Sequence, residues 1–193
     1  MKRVCVYCGS NPGRQPAYLE AARNLGLEFV RREIGLVYGG ASIGMMGEIA
    51  DTVLNNGGEV IGVMPQALVD KEVSHEGLTE LKVVRSMHER KATMAELSDG
   101  FIALPGGLGT VEELFEILTW SQLGFHTKPS ALLNVIGYYD LLSAFIDHSV
   151  KEQFVHELHR QLLIIKKQPV SLLDAMEDYQ PPKVNKWIGR PDT

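Results

Sequence analysis

Short apolar runs alternate with longer amphipathic stretches along this chain, and the alternation predicts its fold. Apolar runs bounded by glycine, proline or polar residues predict buried strands at 3–7, 36–38, 60–63, 81–84, 101–104 and 131–135, with 162–165 as a further candidate. Between them, apolar residues three or four positions apart predict amphipathic helices, as at Leu19, Ala22, Leu25 and Phe29. This alternation indicates an α/β fold, a Rossmann-like doubly wound parallel sheet of about six to seven strands with helices on both faces.

The remaining segments complete the predicted architecture. Residues 66–80 are polar and weakly patterned, which favours a loop or lid with a short helix. Residues 1–180 are expected to form one domain, followed by a loose, proline-containing tail at 181–193. Residues 138–151 predict a helix whose inward-facing residues are Leu141, Leu142, Phe145 and Ile146.

Composition and charge narrow the classes of protein that fit. The 193-residue chain is 45% hydrophobic and 22% charged, as expected of one globular domain. Its net charge of -5 and the lack of a Lys/Arg cluster give no basic surface for nucleic acid. No apolar run approaches the roughly 20 residues of a membrane span, and a predicted strand begins at Arg3, where a signal peptide would lie. A cytoplasmic location, with no membrane and no nucleic-acid partner, is therefore expected.

The two cysteines, Cys5 and Cys8, form a Cys-x-x-Cys pair. A redox pair normally lies at the start of a helix, whereas Cys5 falls inside the first predicted strand. The odd spacing of the pair points the two side chains to opposite faces of the sheet, and one such pair supplies only half of a zinc site. Both cysteines are therefore interpreted as structural thiols, and no metal site is predicted.

The most informative stretch of the sequence is 98–116. The apolar run at 101–104 ends at Pro105-Gly106-Gly107, and a helical pattern begins at Thr110. Glycines let the backbone approach a ligand closely, while free N–H groups and the helix dipole favour a negative charge. The stretch fits neither the dinucleotide fingerprint, whose third glycine would fall at Glu112, nor the nucleotide loop that ends in Gly-Lys-Ser/Thr. We predict a phosphate site at Gly106, Gly107, Gly109 and Thr110.

Two carboxylates, Glu112 and Glu113, lie just inside the predicted helix beside this phosphate site. Carboxylates repel a phosphate, so their position favours a role in chemistry over a role in phosphate binding. A structural alternative is a capping box, in which Thr110 accepts a hydrogen bond from the Glu113 N–H and the Glu113 side chain reaches back. Residues 110–113 alone leave both interpretations open.

A buried cation is predicted at Arg90, which shares the apolar stripe of a helix with Met87, Met94 and Leu97. A guanidinium in this position needs an anionic partner, because burying an unpaired charge is costly. The acid pair at 112–113 and the phosphate of a ligand are both suitable partners. The alternative is that Arg90 extends from the helix edge into solvent.

Two other turns are expected at the same edge of the sheet. Ser10 follows the first strand, where open α/β sheets bind ligands, and is a candidate phosphate or ribose contact or else a turn cap. Gly39-Gly40 and Gly44-Met-Met-Gly47 follow the second strand and form a second glycine-rich turn before a helix.

Several of these motifs resemble one known family. The stretch Pro105-Gly-Gly-Leu-Gly-Thr-Val-Glu-Glu113 resembles the signature Pro-Gly-Gly-x-Gly-Thr-x-x-Glu of the Lonely Guy family of cytokinin-nucleotide phosphoribohydrolases, often labelled lysine decarboxylases. Met87-His-x-Arg90-Lys91 resembles its Arg-Lys element. The resemblance covers most of residues 3–155 through Cys8-Gly9-Ser10, Tyr38-Gly39-Gly40, Gly44-Met-Met-Gly47, Thr119-Trp120 and Leu133-Asn134-Val135-x-Gly137-Tyr138-Tyr139. Departures at 66–68 and 73–78 fall in the predicted lid.

The resemblance implies a reaction and the residues that perform it. The family hydrolyses the N-glycosidic bond of nucleoside 5′-monophosphates, cytokinin nucleotides or AMP, to free base and ribose 5-phosphate, without a cofactor or metal. It implies Arg90 and Glu113 as the catalytic pair, and a homodimer with sites near its interface. Expected substrate contacts are Ser10, Gly40, Glu72, Lys91, Gly106, Gly107, Gly109, Thr110, Glu112 and Thr119.

Two other functions compete with this hydrolase interpretation. A non-catalytic carrier of a nucleotide or of molybdenum cofactor can use the same fold, although it has less use for carboxylates behind a phosphate loop. An amino-acid decarboxylase would ordinarily hold pyridoxal phosphate on a lysine. Lys91 is the only lysine near the predicted site, and the neighbouring Arg90 explains that motif better.

Overall fold

The computed structural model describes residues 1–70 and 74–182, and its seven strands form one sheet. The strands are β1 (Arg3–Tyr7), β2 (Gly35–Tyr38), β3 (Val60–Pro65), β4 (Glu80–Val84), β5 (Gly100–Ala103), β6 (Ser130–Leu133) and β7 (Leu163–Lys166). All strand pairs are parallel, in the order β4-β3-β2-β1-β5-β6-β7, which confirms the predicted Rossmann-like fold.

Helices cover both faces of this sheet. The helices of the described residues are α1 (Pro16–Arg31), α2 (Gly44–Asn55), α3 (Gln66–Val69), α4 (Met87–Leu97), α5 (Leu108–Gln122), α6 (Asp140–Lys151), α7 (Glu157–Arg160) and α8 (Pro169–Glu177), with a 3₁₀ turn at Val135–Gly137. One core contains apolar side chains of α1, α2 and α8, and the other those of α4, α5 and α6. None of these helices is long and apolar enough to cross a membrane. The cytoplasmic location stays a prediction.

The two cysteines lie in different cores, as their spacing predicts. Cys5 packs on the face of α4 and α5, and Cys8 packs on the face of α1 and α2. Both are unpaired and buried, and burial raises the pKa of both thiols. Since the thiolate is the reactive form, both behave as structural apolar groups.

The order of the strands brings the loops after β1 and β5 together. Successive strands are added on one side of β1 as far as β4 and on its other side from β5 onwards, so the strand order reverses between β1 and β5. Open α/β sheets bind ligands at such a position. The Gly9 N–H donates to the Pro105 carbonyl (3.1 Å), and the Met45 N–H donates to the Gly9 carbonyl (3.2 Å). Gly44 has a φ of +59°, and an added Cβ would collide with the Ser10 carbonyl. The turns after β1, β2 and β5 are therefore interlocked at one edge.

One prediction for α6 is wrong. Leu142 and Ile146 pack against the core, but Leu141 is 86% exposed and Phe145 is 60% exposed. A helix lying on a sheet buries only one stripe, and positions 141 and 145 are turned by about 100° from positions 142 and 146. Leu141 and Phe145 therefore lie one turn apart on the outer side of α6.

The predicted lid is only partly described. It begins with the short helix α3 and returns at Ser74, which forms an isolated antiparallel bridge with Ala41. The His75 N–H also donates to the Gly40 carbonyl (2.8 Å), so this part of the lid is anchored to the turn after β2. Residues 71–73 and most of the predicted tail, 183–193, lie outside the described residues.

Candidate active site

The glycine-rich stretch forms a turn and the first turn of α5. Gly107 is the N-cap residue, and the Val111 N–H donates to its carbonyl (3.2 Å). The helix thus begins two residues before Thr110, and no side chain caps it. The capping-box interpretation of Thr110 and Glu113 is therefore wrong, because both residues lie inside the helix. The backbone N–H groups at the start of a helix have no partner within it. Here they belong to the first turn of α5, which directly follows Gly107.

A cleft of about 320 Å³ opens at this helix end. The turns after β1 and β5 form one wall, and α4 and α5 supply charged side chains. Its lining residues are Cys8, Gly9, Ser10, Met46, Met87, Arg90, Gly107, Leu108, Gly109, Thr110, Glu112 and Glu113. A neighbouring cleft of about 210 Å³ shares Gly9, Ser10 and Gly107 with it, and adds Tyr18 and Tyr138. The sequence motifs from distant parts of the chain therefore meet in one place.

Arg90 and Glu113 form a buried ion pair in the first cleft. The Arg90 Nη1 lies 2.9 Å from the Glu113 Oε1, and the Arg90 Nε donates to the Val63 carbonyl at 3.0 Å. Only 8% and 10% of the two side chains are exposed, so the solvent-exposed alternative for Arg90 is wrong. An added Cβ at Gly39 would collide with the Arg90 guanidinium. The second glycine-rich turn thus provides room for the arginine.

Burial also changes the acidity of Glu113. Desolvation of the carboxylate raises the pKa of Glu113, and the nearby charge of Glu112 acts in the same direction. The Arg90 guanidinium opposes this effect without cancelling it. Glu113 is therefore a carboxylate with a raised pKa beside a fixed positive charge, a combination that is common at functional sites.

Lys91 makes a second connection between α4 and α5. Its Nζ donates to Glu112 Oε1 (2.6 Å) and to Glu116 Oε1 (3.0 Å). Burial disfavours the charged ammonium, but the two carboxylates outweigh that effect and raise the pKa of Lys91. The residue is not among those that line the cleft. Its role as a substrate contact stays a prediction.

Three other predicted contacts lie outside the cleft or outside the described residues. Gly40 is buried in the turn after β2 and does not line the cleft. Thr119 lies near the far end of α5, where its hydroxyl donates to the Phe115 carbonyl (2.7 Å). Glu72 belongs to the segment that is not described. Ser10, Gly107, Gly109, Thr110 and Glu112 line the cleft, and Gly106 lines the neighbouring one, but their roles as substrate contacts stay predictions.

Sequence reasoning missed two kinds of contact. Glu116 pairs with Lys91, and its spacing of four residues from Glu112 was the available signal. The Tyr138 hydroxyl donates to the Gly106 carbonyl (2.6 Å), and the Tyr139 hydroxyl donates to the Leu104 carbonyl (2.7 Å). The position of both tyrosines after β6, at the ligand-binding edge, was the signal that could have found them.

Comparison with solved structures supports the fold. A molybdenum cofactor binding protein from Rippkaea orientalis is similar with a TM-score of 0.69 and 19% identity, over 92% of this chain and 97% of that one. A Moco carrier protein from Chlamydomonas reinhardtii is similar with a TM-score of 0.67 and 19% identity, over 92% and 96%. At this identity the likeness establishes the architecture alone.

Comparison of sequences is more specific. A family profile described as "Possible lysine decarboxylase" matches residues 46–176, more than half of the chain. A protein of Oryza sativa subsp. japonica named "Probable cytokinin riboside 5'-monophosphate phosphoribohydrolase" is 52% identical, over 93% of this chain and 79% of its own length. An Arabidopsis thaliana protein named "Cytokinin riboside 5'-monophosphate phosphoribohydrolase" is 51% identical, over 93% and 84%. At this identity and coverage, the chain belongs to the Lonely Guy family that its motifs predict.

Proposed function

We propose that this protein hydrolyses the N-glycosidic bond of cytokinin riboside 5′-monophosphates, and of AMP, to release free base and ribose 5-phosphate. The observation that carries the proposal is the buried Arg90–Glu113 pair beside a helix N-terminus in a cleft. Named relatives at about half identity support the same reaction. The inclusion of AMP rests on the family resemblance.

The phosphate is proposed to bind at the start of α5. Gly107, Gly109 and Thr110 line the cleft there, and the helix dipole favours an anion. Ser10, in the neighbouring turn after β1, offers a hydroxyl to the same cleft. Holding the phosphate fixes the ribose relative to the carboxylate, which removes much of the entropic part of the barrier. Gly40, Glu72, Lys91 and Thr119 stay predicted contacts from the resemblance.

Glu113 is proposed as the catalytic carboxylate. Cleavage of a glycosidic bond develops positive charge on the ribose, which a nearby carboxylate stabilises. The same carboxylate can accept a proton from the attacking water, while the base leaves with the electron pair of the broken C–N bond and takes up a proton, so that water is divided between ribose and base. Arg90 holds Glu113 in position and favours its ionised form, because their side chains are hydrogen-bonded.

The test is release of free base from AMP and from isopentenyladenosine monophosphate by the wild type and by Glu113→Gln. We expect the wild type to release base and the variant to lose activity by at least about 100-fold, because it lacks the proton acceptor. Glu116→Gln removes a carboxylate from the same helix without touching the cleft, and is the matched control. Glu112→Gln measures how much the second acid contributes. Thermal unfolding of each variant separates loss of activity from loss of fold.

A wild type that releases no base from either nucleotide would contradict the proposal. Tight binding of a nucleotide without turnover would then favour the carrier function. Full activity in Glu113→Gln would assign the chemistry to another residue. The ratio of the two wild-type rates identifies the preferred base, because the nucleotides differ only in the substituent on adenine.

We also propose that the chain forms a homodimer, as the family resemblance implies. Support comes from Leu141 and Phe145, two large apolar side chains exposed one turn apart on α6. Exposed apolar patches commonly mark protein interfaces. Sedimentation velocity should find a dimer in the wild type and a monomer in a Leu141→Asp/Phe145→Asp variant. A wild-type monomer contradicts the proposal, and a dimeric double variant places the interface elsewhere.

A further inference from the structure

The turn after β6 has an unusual backbone that directs two tyrosines toward the glycine-rich turn. Ile136 has a φ of +43° and Gly137 a φ of +79°, so two consecutive residues adopt the left-handed region. The Asn134 side chain stabilises this turn, since its Oδ1 accepts from the Tyr139 N–H (2.8 Å) and its Nδ2 donates to Asp140 (2.7 Å). The turn and the start of α6 are thereby tied together.

Both tyrosine hydroxyls end on carbonyls of the stretch between β5 and α5. Tyr139 is buried and donates to the Leu104 carbonyl (2.7 Å). Tyr138 is partly exposed and donates to the Gly106 carbonyl (2.6 Å). Two neighbouring tyrosines thus hold two carbonyls that lie two residues apart, at Leu104 and Gly106, just before the proposed phosphate site.

The peptide between Gly106 and Gly107 needs such a restraint. A peptide flanked by two glycines can rotate with little steric cost, because neither residue has a Cβ. Gly106 itself cannot carry one, since an added Cβ would collide with the Thr110 Oγ1. In a planar trans peptide, the carbonyl of Gly106 and the N–H of Gly107 point in opposite directions. A hydrogen bond that fixes the carbonyl therefore also fixes the direction of the N–H.

The position of Tyr138 determines that direction. Tyr138 lines the smaller cleft together with Tyr18, and it does not line the cleft that contains Arg90 and Glu113. Gly107 lines both clefts, so its peptide lies between them. With the Gly106 carbonyl held by Tyr138, the Gly107 N–H is directed away from Tyr138. We propose that Tyr138 is a positioning residue that locks the Gly106–Gly107 peptide with its N–H toward the phosphate of the substrate.

This inference rests on the proposed function, because it assigns a role within the phosphate site. Its test is Tyr138→Phe, which removes the hydroxyl and keeps the ring that contacts Tyr18 (centroids 5.6 Å apart) and Tyr139 (4.9 Å). We expect the dissociation constant of ribose 5-phosphate and the KM of the nucleotide to rise at least about tenfold, the effect of one hydrogen bond to an anion. The kcat should stay within about twofold, since the reacting groups are untouched.

Two comparisons distinguish positioning from a general loss of structure. Calorimetry with ribose, which lacks the phosphate, should give the same weak signal for wild type and variant. Tyr18→Phe is the matched control, because Tyr18 lines the same cleft and its hydroxyl has no hydrogen-bond partner among the described residues. It should leave the affinity for ribose 5-phosphate unchanged.

The possible results separate this inference from the proposed function. Weaker binding of ribose 5-phosphate by Tyr138→Phe alone supports the inference, even if the wild type hydrolyses neither nucleotide. Unchanged affinity and KM in Tyr138→Phe overturn it, whether or not the wild type is a hydrolase. An equal loss for Tyr138→Phe and Tyr18→Phe also overturns it, since the hydroxyl on Gly106 would then have no special role. A wild type that binds no ribose 5-phosphate removes the site itself and overturns the inference.

Discussion

Two neighbouring cations of α4 form ion pairs with α5, and the exposure of their partners differs sharply. Arg90 of α4 pairs with Glu113 of α5 in the cleft, where about nine-tenths of each side chain is buried. The next residue, Lys91, pairs with Glu112 and Glu116, and 56% of the Glu112 side chain is exposed. Both cations are buried, but Glu113 is buried too, whereas the carboxylate partners of Lys91 keep contact with water.

The difference indicates two separate roles. Burying both members of an ion pair costs desolvation energy that their attraction often fails to offset, so such a pair is a poor choice for stability alone. Arg90 and Glu113 keep this costly arrangement beside a helix N-terminus, where a charge can act on a ligand. The pairing of Lys91 costs less because its partners remain in contact with water, and it connects α4 to α5.

The largest effect is expected from Arg90→Met, which leaves Glu113 buried without its cation. We expect base release to fall by at least about 100-fold and the free energy of unfolding to fall by about 3 kcal/mol, as when one partner of a buried pair is removed. Urea denaturation and turnover measure the two quantities. Lys91→Met is the matched control, because it makes the same substitution on the next residue.

The double variant Arg90→Met/Glu113→Gln tests the cause of the lost stability. Removing the uncompensated charge as well should recover most of the stability, while activity stays absent. If the double variant is as unstable as Arg90→Met, the loss comes from the missing hydrogen bond to Val63 and not from the unpaired carboxylate. Wild-type activity in Arg90→Met would remove the buried pair from the mechanism.

A second prediction concerns pH. Because burial raises the pKa of Glu113, kcat/KM should rise with pH along a limb centred above the ordinary glutamate value of about 4.3. The raised pKa also means that the folded state binds this proton more tightly than the unfolded state. Protonated Glu113 therefore stabilises the folded state at any pH below the pKa that it has in the unfolded chain. This stabilisation is lost as the pH rises through the pKa of Glu113 in the folded protein.

Glu113→Gln is the control for both effects of pH. The variant should lack the pH-dependent loss of stability, as measured by urea denaturation across the same range. An activity limb at or below the ordinary glutamate value would show that the ionisation of Glu113 does not govern the reaction. In the conservative Glu112→Gln variant, the limb of kcat/KM should lie at lower pH than in the wild type. Such a shift would confirm that the two carboxylates repel each other.

Much of the fold followed from local patterns. Every predicted strand is present, with ends that differ by one or two residues, and the parallel order follows from the alternation with helices. The error at Leu141 and Phe145 has a simple cause: positions 141, 142, 145 and 146 span about 140° of the helix circumference, which is wider than the stripe of α6 that packs on the core. Which pair faces inward depends on how α6 lies on the core, and that is a tertiary property.

The site was less predictable than the fold, and its residues show why. The pairing of Arg90 with Glu113 was one of several alternatives, and the start of α5 at Leu108, two residues before Thr110, decided against the capping box. The spacing of Glu112 and Glu116 places both carboxylates on one face of α5, but their pairing with Lys91 also depends on the separation and rotation of α4 and α5. The tyrosine contacts need a left-handed backbone at Ile136. A β-branched residue rarely adopts that conformation, so the sequence does not predict this turn.

The smallest effect is expected from Lys91→Met, the other half of the comparison. Its partners are partly hydrated, so we expect a loss of about 1 kcal/mol or less in the free energy of unfolding and at most about a threefold fall in turnover. The Lys91 charge also lowers the pKa of Glu113, so its removal should shift the acid limb of kcat/KM to higher pH. A loss of activity as large as that of Arg90→Met would instead make Lys91 a substrate contact, as the family resemblance implies. The ammonium would then have to leave at least one of its two carboxylates when the nucleotide binds, and Arg90 and Lys91 would act in one site.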